Sequence, residues 1–175
     1  PFSNCSEWMI LIEVAGTKTI GLRCLFENIL CKLMADNLIS DAVISSNESQ
    51  AKALWYIRES IPEANRLVGA ICSSDVSVPI SCIPIFIKET FEKIRDLSED
   101  LQINCFGHLG DGNIHFNVFP PFGSKKDHFQ GIKDELARVI HEIAIKLGGS
   151  FSAEHGVGRL KVKDLERFGD SGKLT

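Results

Sequence analysis

The stretch "CFGHLGDGNIHFNVFPP", Cys105 to Pro121, holds two histidines, an aspartate and two asparagines around three glycines, between apolar neighbours. "DG" between alternating residues is a strong signal for a tight β-hairpin, because such turns need a positive φ. With Asp111 and Gly112 as the two loop residues, counting outward predicts a register. Gly110 faces Asn113, Leu109 faces Ile114, His108 faces His115 and Phe106 faces Asn117. Side chains alternate across a strand, so His108, His115 and Asn117 share one face. The other face carries Cys105, Leu109, Ile114, Phe116 and Val118, a core face. Directly opposed residues have Cβ atoms roughly 5 Å apart, near enough for two imidazoles to chelate one first-row metal ion.

Two histidines leave a ligand shell incomplete, since divalent ions at catalytic sites usually take three protein ligands. "GGSFSAEHGVGR", Gly148 to Arg159, offers Glu154 as the third. Glu154 and His155 would diverge in extended chain unless it turns, and Gly156 and Gly158 allow that. One of the pair can then ligate metal while the other faces a bound substrate. The competing reading of Glu154 is a helix start ahead of "VGRLKVKDLERF". Arg58, closing an amphipathic helix in "RES", is either a solvated side chain or a bidentate clamp for a substrate carboxylate. His128 and His141 lie in a charged helix and are expected to be solvated.

The rest of the chain frames this segment. Its 175 residues suffice for one domain with a real core, and 44% hydrophobic with 24% charged residues is an ordinary globular balance. A formal net charge of −4 gives no electrostatic footprint for nucleic acid. No apolar run approaches the roughly 20 residues of a membrane span, and no signal peptide is visible. The six cysteines contain no C-x-x-C pair. Cys24 and Cys31, at helical spacing, are expected to be small buried hydrophobes, in a reducing, cytoplasmic compartment without disulfides.

"WMILIEVAG" (8–16) and "DAVISS" (41–46) read as strands, with helices over 20–36 and over "NESQAKALWYIRESI", the latter capped by Ser46 or Asn47. A strand-like stretch ending at Pro79 precedes an amphipathic helix over 83–99. After the hairpin come a long helix over 125–147, a last strand in "SFSAEHG" and a short helix. This order predicts an α+β fold, a mostly antiparallel sheet with helices packed on one face.

The segments "GHLGDGNIHFNV" and "SAEHGVGRLK", with "LWYIRESIPEA" followed by "DVSVPIS", resemble the C-terminal domain of the FAD-linked oxidases that act on D-2-hydroxy acids. That family includes flavin D-lactate dehydrogenases, D-2-hydroxyglutarate dehydrogenase and a glycolate oxidase subunit. The resemblance covers nearly the whole chain and implies a single ferredoxin-like cap domain over 1–175, with the flavin-binding domain absent from it. It implies a divalent metal, commonly zinc, on His108, His115 and Glu154. It makes His155 the base, Asn117 and Arg58 substrate contacts, and Asn113 a residue facing the FAD. The hydroxy acid would become a 2-keto acid by hydride transfer to the flavin. Partners implied are the small 2-hydroxy acid and the flavin-binding domain, with room for a homodimer.

Two departures from the family stand out. Ser73, in "CSSD", supplies no cation where many relatives carry a lysine ahead of "DVSVP". Relatives also run on past "DLERFGD", so the expectation is a cap domain expressed alone or left by truncation, inactive by itself. The alternatives are a non-catalytic remnant that binds a partner, and a stand-alone metal-dependent hydrolase using the same histidines and Glu154.

Overall fold

The computed structural model describes residues 6–17, 21–154, 156 and 162–168. The chain separates into two compact units, Pro1–Pro62 and Glu63–Thr175.

In the first unit, helix α1 spans Leu22–Ala35 and α2 spans Glu48–Glu59. Asn47 caps α2 as its sequence suggests: its side chain accepts the Gln50 N–H at 2.9 Å, and Gln50 Oε1 accepts the Ser46 N–H at 2.7 Å. This exchange satisfies donors that a helix N-terminus otherwise leaves open. Trp55 Nε1 donates to Glu13 at 2.7 Å, tying the leading segment to α2. The expected strands at 8–16 and 41–46 do not form among the described residues. An apolar run supplies a face to bury, but a strand exists only where a neighbour completes its ladder, and neither run has one here. Cys24 and Cys31 also depart from expectation. Both are exposed and free, because α1 buries none of its residues.

The second unit holds the sheet. Helix α3, Ile61–Val68, begins at the boundary and leads to β1, Cys72–Ser77. Helix α4 spans Ile83–Leu97, β2 spans Gln102–His108 and β3 spans Asn113–Phe119; α5 covers Lys133–Lys146 and α6 covers Val162–Phe168. The strand order is β1-β3-β2, with β3 antiparallel to both neighbours. β1, α4 and β2 therefore make a split β-α-β unit whose gap β3 fills. The expected α+β architecture with an antiparallel sheet is what forms.

Period-2 alternation sorts the sheet into two faces. Val76, Ile114, Phe116 and Val118 are buried in one core with Phe86 and Ile94 of α4 and Leu136 and Ile140 of α5. Phe116 meets Phe86 and Phe91 edge-on, with ring centroids 6.0 and 5.7 Å apart. Each such pair contributes about 0.5–1.5 kcal/mol beyond burial. The buried Thr90 hydroxyl donates to the Phe86 carbonyl at 2.6 Å, so α4 carries a polar side chain into the core already bonded. His141, expected to be solvated, is only 3% exposed, and its ring lies 5.9 Å from that of Phe151. It adjoins the Leu136, Ile140 and Ala144 stripe of α5 and is carried inward with it.

Candidate functional site

The opposite face of the sheet is polar. Asp75 on β1 sits across from His115 on β3, and Phe106 on β2 sits across from the same histidine. Ser77 and His108 flank Asn113 in the same way, while Ser73 and Asn104 flank Asn117. His108, His115 and Asn117 therefore share a face, as alternation predicts. The register differs from the expected one: His108 faces Asn113, not His115. The cause is the turn. Asp111 Oδ1 accepts the Asn113 N–H at 3.0 Å, and Leu109–Asp111 coils into a single 3₁₀ turn closed by Gly112 at φ +74°. Four residues connect the strands where two were expected, so each partner moves by two positions and the facing parity survives. Leu109, assigned to the core face by the shorter loop, is instead 56% exposed in the turn.

Glu154 reaches this face along the outer edge of β1. Ser77 and Ser150 exchange backbone hydrogen bonds of 3.0 and 2.8 Å, and the Ala153 N–H reaches the Asp75 carbonyl at 3.3 Å. The expected last strand is reduced among the described residues to this isolated bridge. Gly149 permits the approach, since a Cβ there would sit 2.0 Å from the Ser77 carbonyl oxygen.

Asp75, His115 and Glu154 converge: one ligand atom from each lies within 4.8 Å of the others. His115 Nδ1 is 3.5 Å from Asp75 Oδ1, and His115 Nε2 is 3.8 Å from Glu154 Oε2. Asp75 Oδ1 also accepts from Asn113 Nδ2 at 2.7 Å, and Oδ2 accepts the Glu154 N–H at 2.9 Å. Phe106 covers the imidazole, with ring centroids 4.9 Å apart and planes 31° from parallel. Asp75 and Asn113 are buried, His115 is partly so, and the Glu154 side chain is 45% exposed. Asn113 Oδ1 is buried with no hydrogen-bond partner among the described residues.

Of the residues singled out from sequence, His115, Glu154 and Asn113 are brought together. His108 shares their face at the end of β2 but stands outside the tight cluster. Asn117 is buried, its Nδ2 directed at the Asn104 and His115 carbonyls at 3.3 and 3.4 Å. Arg58 belongs to the last turn of α2, in the first unit. His155 lies outside the described residues. Asp75 is the member that sequence reasoning missed. The available signal was the alternation of Ser73, Asp75 and Ser77 against Val76 in the strand before Pro79, which sets a carboxylate on the histidine face.

The chain matches the family described as FAD linked oxidases, C-terminal domain, over residues 1–175. It is 38% identical over 164 residues to a D-2-hydroxyglutarate dehydrogenase of Xanthomonas citri pv. viticola, covering 92% of this chain and 34% of that protein. A probable mitochondrial D-2-hydroxyglutarate dehydrogenase of Oryza sativa subsp. japonica is 34% identical, covering 91% of this chain and 27% of the relative. A putative mitochondrial D-lactate dehydrogenase of Schizosaccharomyces pombe is 29% identical, covering 92% and 31%. The chain thus spans about a third of the length of these relatives. By this match over its whole length, the chain belongs to the FAD-linked oxidase C-terminal domain family.

Proposed function

We propose that the chain is the substrate- and metal-binding part of a flavin-dependent D-2-hydroxy acid dehydrogenase, of the D-lactate, glycolate or D-2-hydroxyglutarate type. The relatives' names support the reaction class. The observation that carries the metal reading is the gap between His115 Nε2 and Glu154 Oε2. At 3.8 Å it is too wide for a hydrogen bond. It is close to the roughly 3.4 Å edge of a tetrahedron built from metal–ligand bonds of about 2.1 Å. An imidazole and a carboxylate are also the donor types that zinc accepts. His115 and Glu154 therefore suit a divalent ion as ligands, and His108, on the same face but outside this cluster, is the third ligand that the family resemblance implies.

The chemistry supplied there would be Lewis acidity toward the hydroxyl and carboxylate oxygens of the substrate, and FAD would supply the two-electron acceptor. The chain's own residues do the rest. His155 takes the hydroxyl proton, the general-base role that an imidazole most often fills. Asn117 is the substrate contact on this face, and Arg58, on α2 of the first unit, is the residue to which the family resemblance assigns a substrate carboxylate. Asn113, the first residue of β3, would be the contact to the flavin that the family resemblance implies. Phe106, stacked on His115, keeps water from one side of the imidazole. Ser73 stands on this face opposite Asn117 and offers a neutral hydroxyl rather than a cation.

Zinc titration into the chain by calorimetry tests the site. One binding event is expected, lost in His115→Ala and Glu154→Gln and weakened in His108→Ala; equal heats in all four proteins would sink it. The protein that carries this chain together with its flavin-binding domain should reduce a dye with D-lactate, glycolate or D-2-hydroxyglutarate. Chelator should stop the reaction and zinc should restore it. The 175-residue chain alone should show no turnover.

A further inference from the structure

The geometry points to Asp75 as the positioning residue of this centre: it holds the His115 ring so that Nε2 is the nitrogen presented to Glu154, and it anchors the backbone that delivers Glu154. This rests on the metal reading above and goes beyond it, because Asp75 is placed behind the ligands rather than among them.

Three observations separate positioning from ligation. Both carboxylate oxygens are already committed: Oδ1 to Asn113 Nδ2 at 2.7 Å and Oδ2 to the Glu154 N–H at 2.9 Å. The imidazole stands between two carboxylates, with Nδ1 toward Asp75 at 3.5 Å and Nε2 toward Glu154 at 3.8 Å. Asp75 is also buried, 7% exposed, whereas the Glu154 side chain opens to solvent. A carboxylate beside Nδ1 favours the proton on that nitrogen, which leaves the Nε2 lone pair and Glu154 Oε2 aimed at one point. Histidines that bind metal commonly carry such a partner on the far nitrogen, and its loss typically weakens metal binding by about 10–100-fold.

Asp75 does a second job through the chain. Its Oδ2 and its backbone carbonyl take the N–H groups of Glu154 and Ala153, so one residue of β1 fixes both the ring and the approach of the carboxylate. The Asn113 amide, bonded to the same Oδ1, joins the tip of the hairpin to this arrangement.

The test has a metal-free arm and a metal arm. In the metal-free chain at pH 8, long-range ¹⁵N–¹H spectra of His115 should show the Nδ1–H tautomer, shifting toward Nε2–H in Asp75→Asn. An Nε2–H tautomer in the unaltered chain would overturn the proposal, whatever the titrations give. In the metal arm, cobalt(II) titrated into the chain should bind about 10–100-fold more weakly in Asp75→Asn, with the visible spectrum of the bound ion unchanged. A changed spectrum, or a loss as complete as in His115→Ala, would make Asp75 a ligand and overturn the positioning role. Equal affinity in Asp75→Asn and the unaltered chain would overturn it as well. If the unaltered chain shows the Nδ1–H tautomer but takes up no cobalt, the metal reading fails while the hold of Asp75 on His115 stands. Because the first measurement needs no substitution, a poorly folded variant leaves the proposal open to disproof.

Discussion

Gly112 sets the geometry of the centre from one backbone angle. Its φ is +74°, and a Cβ there would lie 2.0 Å from the Val78 carbonyl oxygen. Gly112→Ala should therefore cost about 1–3 kcal/mol in strain alone, with the clash added, seen as a lower urea midpoint. Zinc affinity should fall with it, since the Gly112 carbonyl accepts the Val78 N–H at 3.1 Å and ties this turn to the chain just after β1, which carries Asp75. Cys105 makes a different prediction. Burial pushes its thiol up to about 12 from a usual 9.0, because the thiolate is disfavoured against the core. A raised folded pKa means that its stability contribution is complete below about pH 9 and is lost as pH climbs toward 12. Cys105→Ala should flatten the alkaline limb of the stability curve, read by chemical denaturation across that range. At neutral pH the exposed Cys24 and Cys31 should react with a thiol reagent well before Cys105. The side chains of the centre were partly legible in the sequence: His115 and Glu154 stand out by type and glycine context. Asp75 did not, because a lone acidic residue in a strand reads as surface until its neighbour across the sheet is known.

The strands and helices of the second unit were legible because each carries a clean period. α4 and α5 repeat apolar residues at helical spacing, while β2 and β3 alternate. The hairpin was legible as a hairpin but not in its register. "LGDG" fits either a two-residue turn at Asp111–Gly112 or the observed four-residue one. The choice lies with the Asp111 side chain, which captures the Asn113 N–H. The runs at 8–16 and 41–46 failed for another reason: a sequence shows that a segment has a face to bury, not that a partner strand is beside it. Packing between elements yields a sharp contrast. Phe116 is fully buried and touches two rings of α4, so Phe116→Ala should cost about 3–5 kcal/mol. The ion pair joining α4 to α5, Glu89 with Lys146 at 2.9 Å, is solvent-exposed on its lysine side, so Lys146→Ala should cost under about 1 kcal/mol. Urea denaturation of the two variants, side by side, checks both; similar losses would mean that the core around Phe116 is not what holds α4 and α5 to the sheet.

The two units distribute apolar surface unequally, and this bears on the chain as a whole. The second unit encloses a core between sheet and helices, and its exposed large hydrophobics, such as Leu67, Leu109 and Phe122, are spread over helix end, turn and loop. The first leaves Trp8, Met9, Ile10 and Ile12 half or more exposed, with Tyr56 at 72% on α2. Contiguous apolar exposure of this kind is rare on free-standing soluble proteins and marks surface that something covers. No helix among the described residues is long and apolar enough to cross a membrane, so the exposure is not that of a spanning helix. The relatives are about three times longer than this chain, which covers 34% of one and 27% of another. In the proposed reading the remainder of such a protein carries the flavin. The isolated chain should then bind the dye ANS strongly, and the double substitution Met9→Lys with Ile10→Lys should reduce that fluorescence with far-UV circular dichroism unchanged. The protein that includes the flavin-binding domain should bind less dye per chain than the isolated segment. Dye binding that survives the double substitution would place the sticky surface elsewhere, and equal binding by the longer protein would mean that its added length leaves the surface bare.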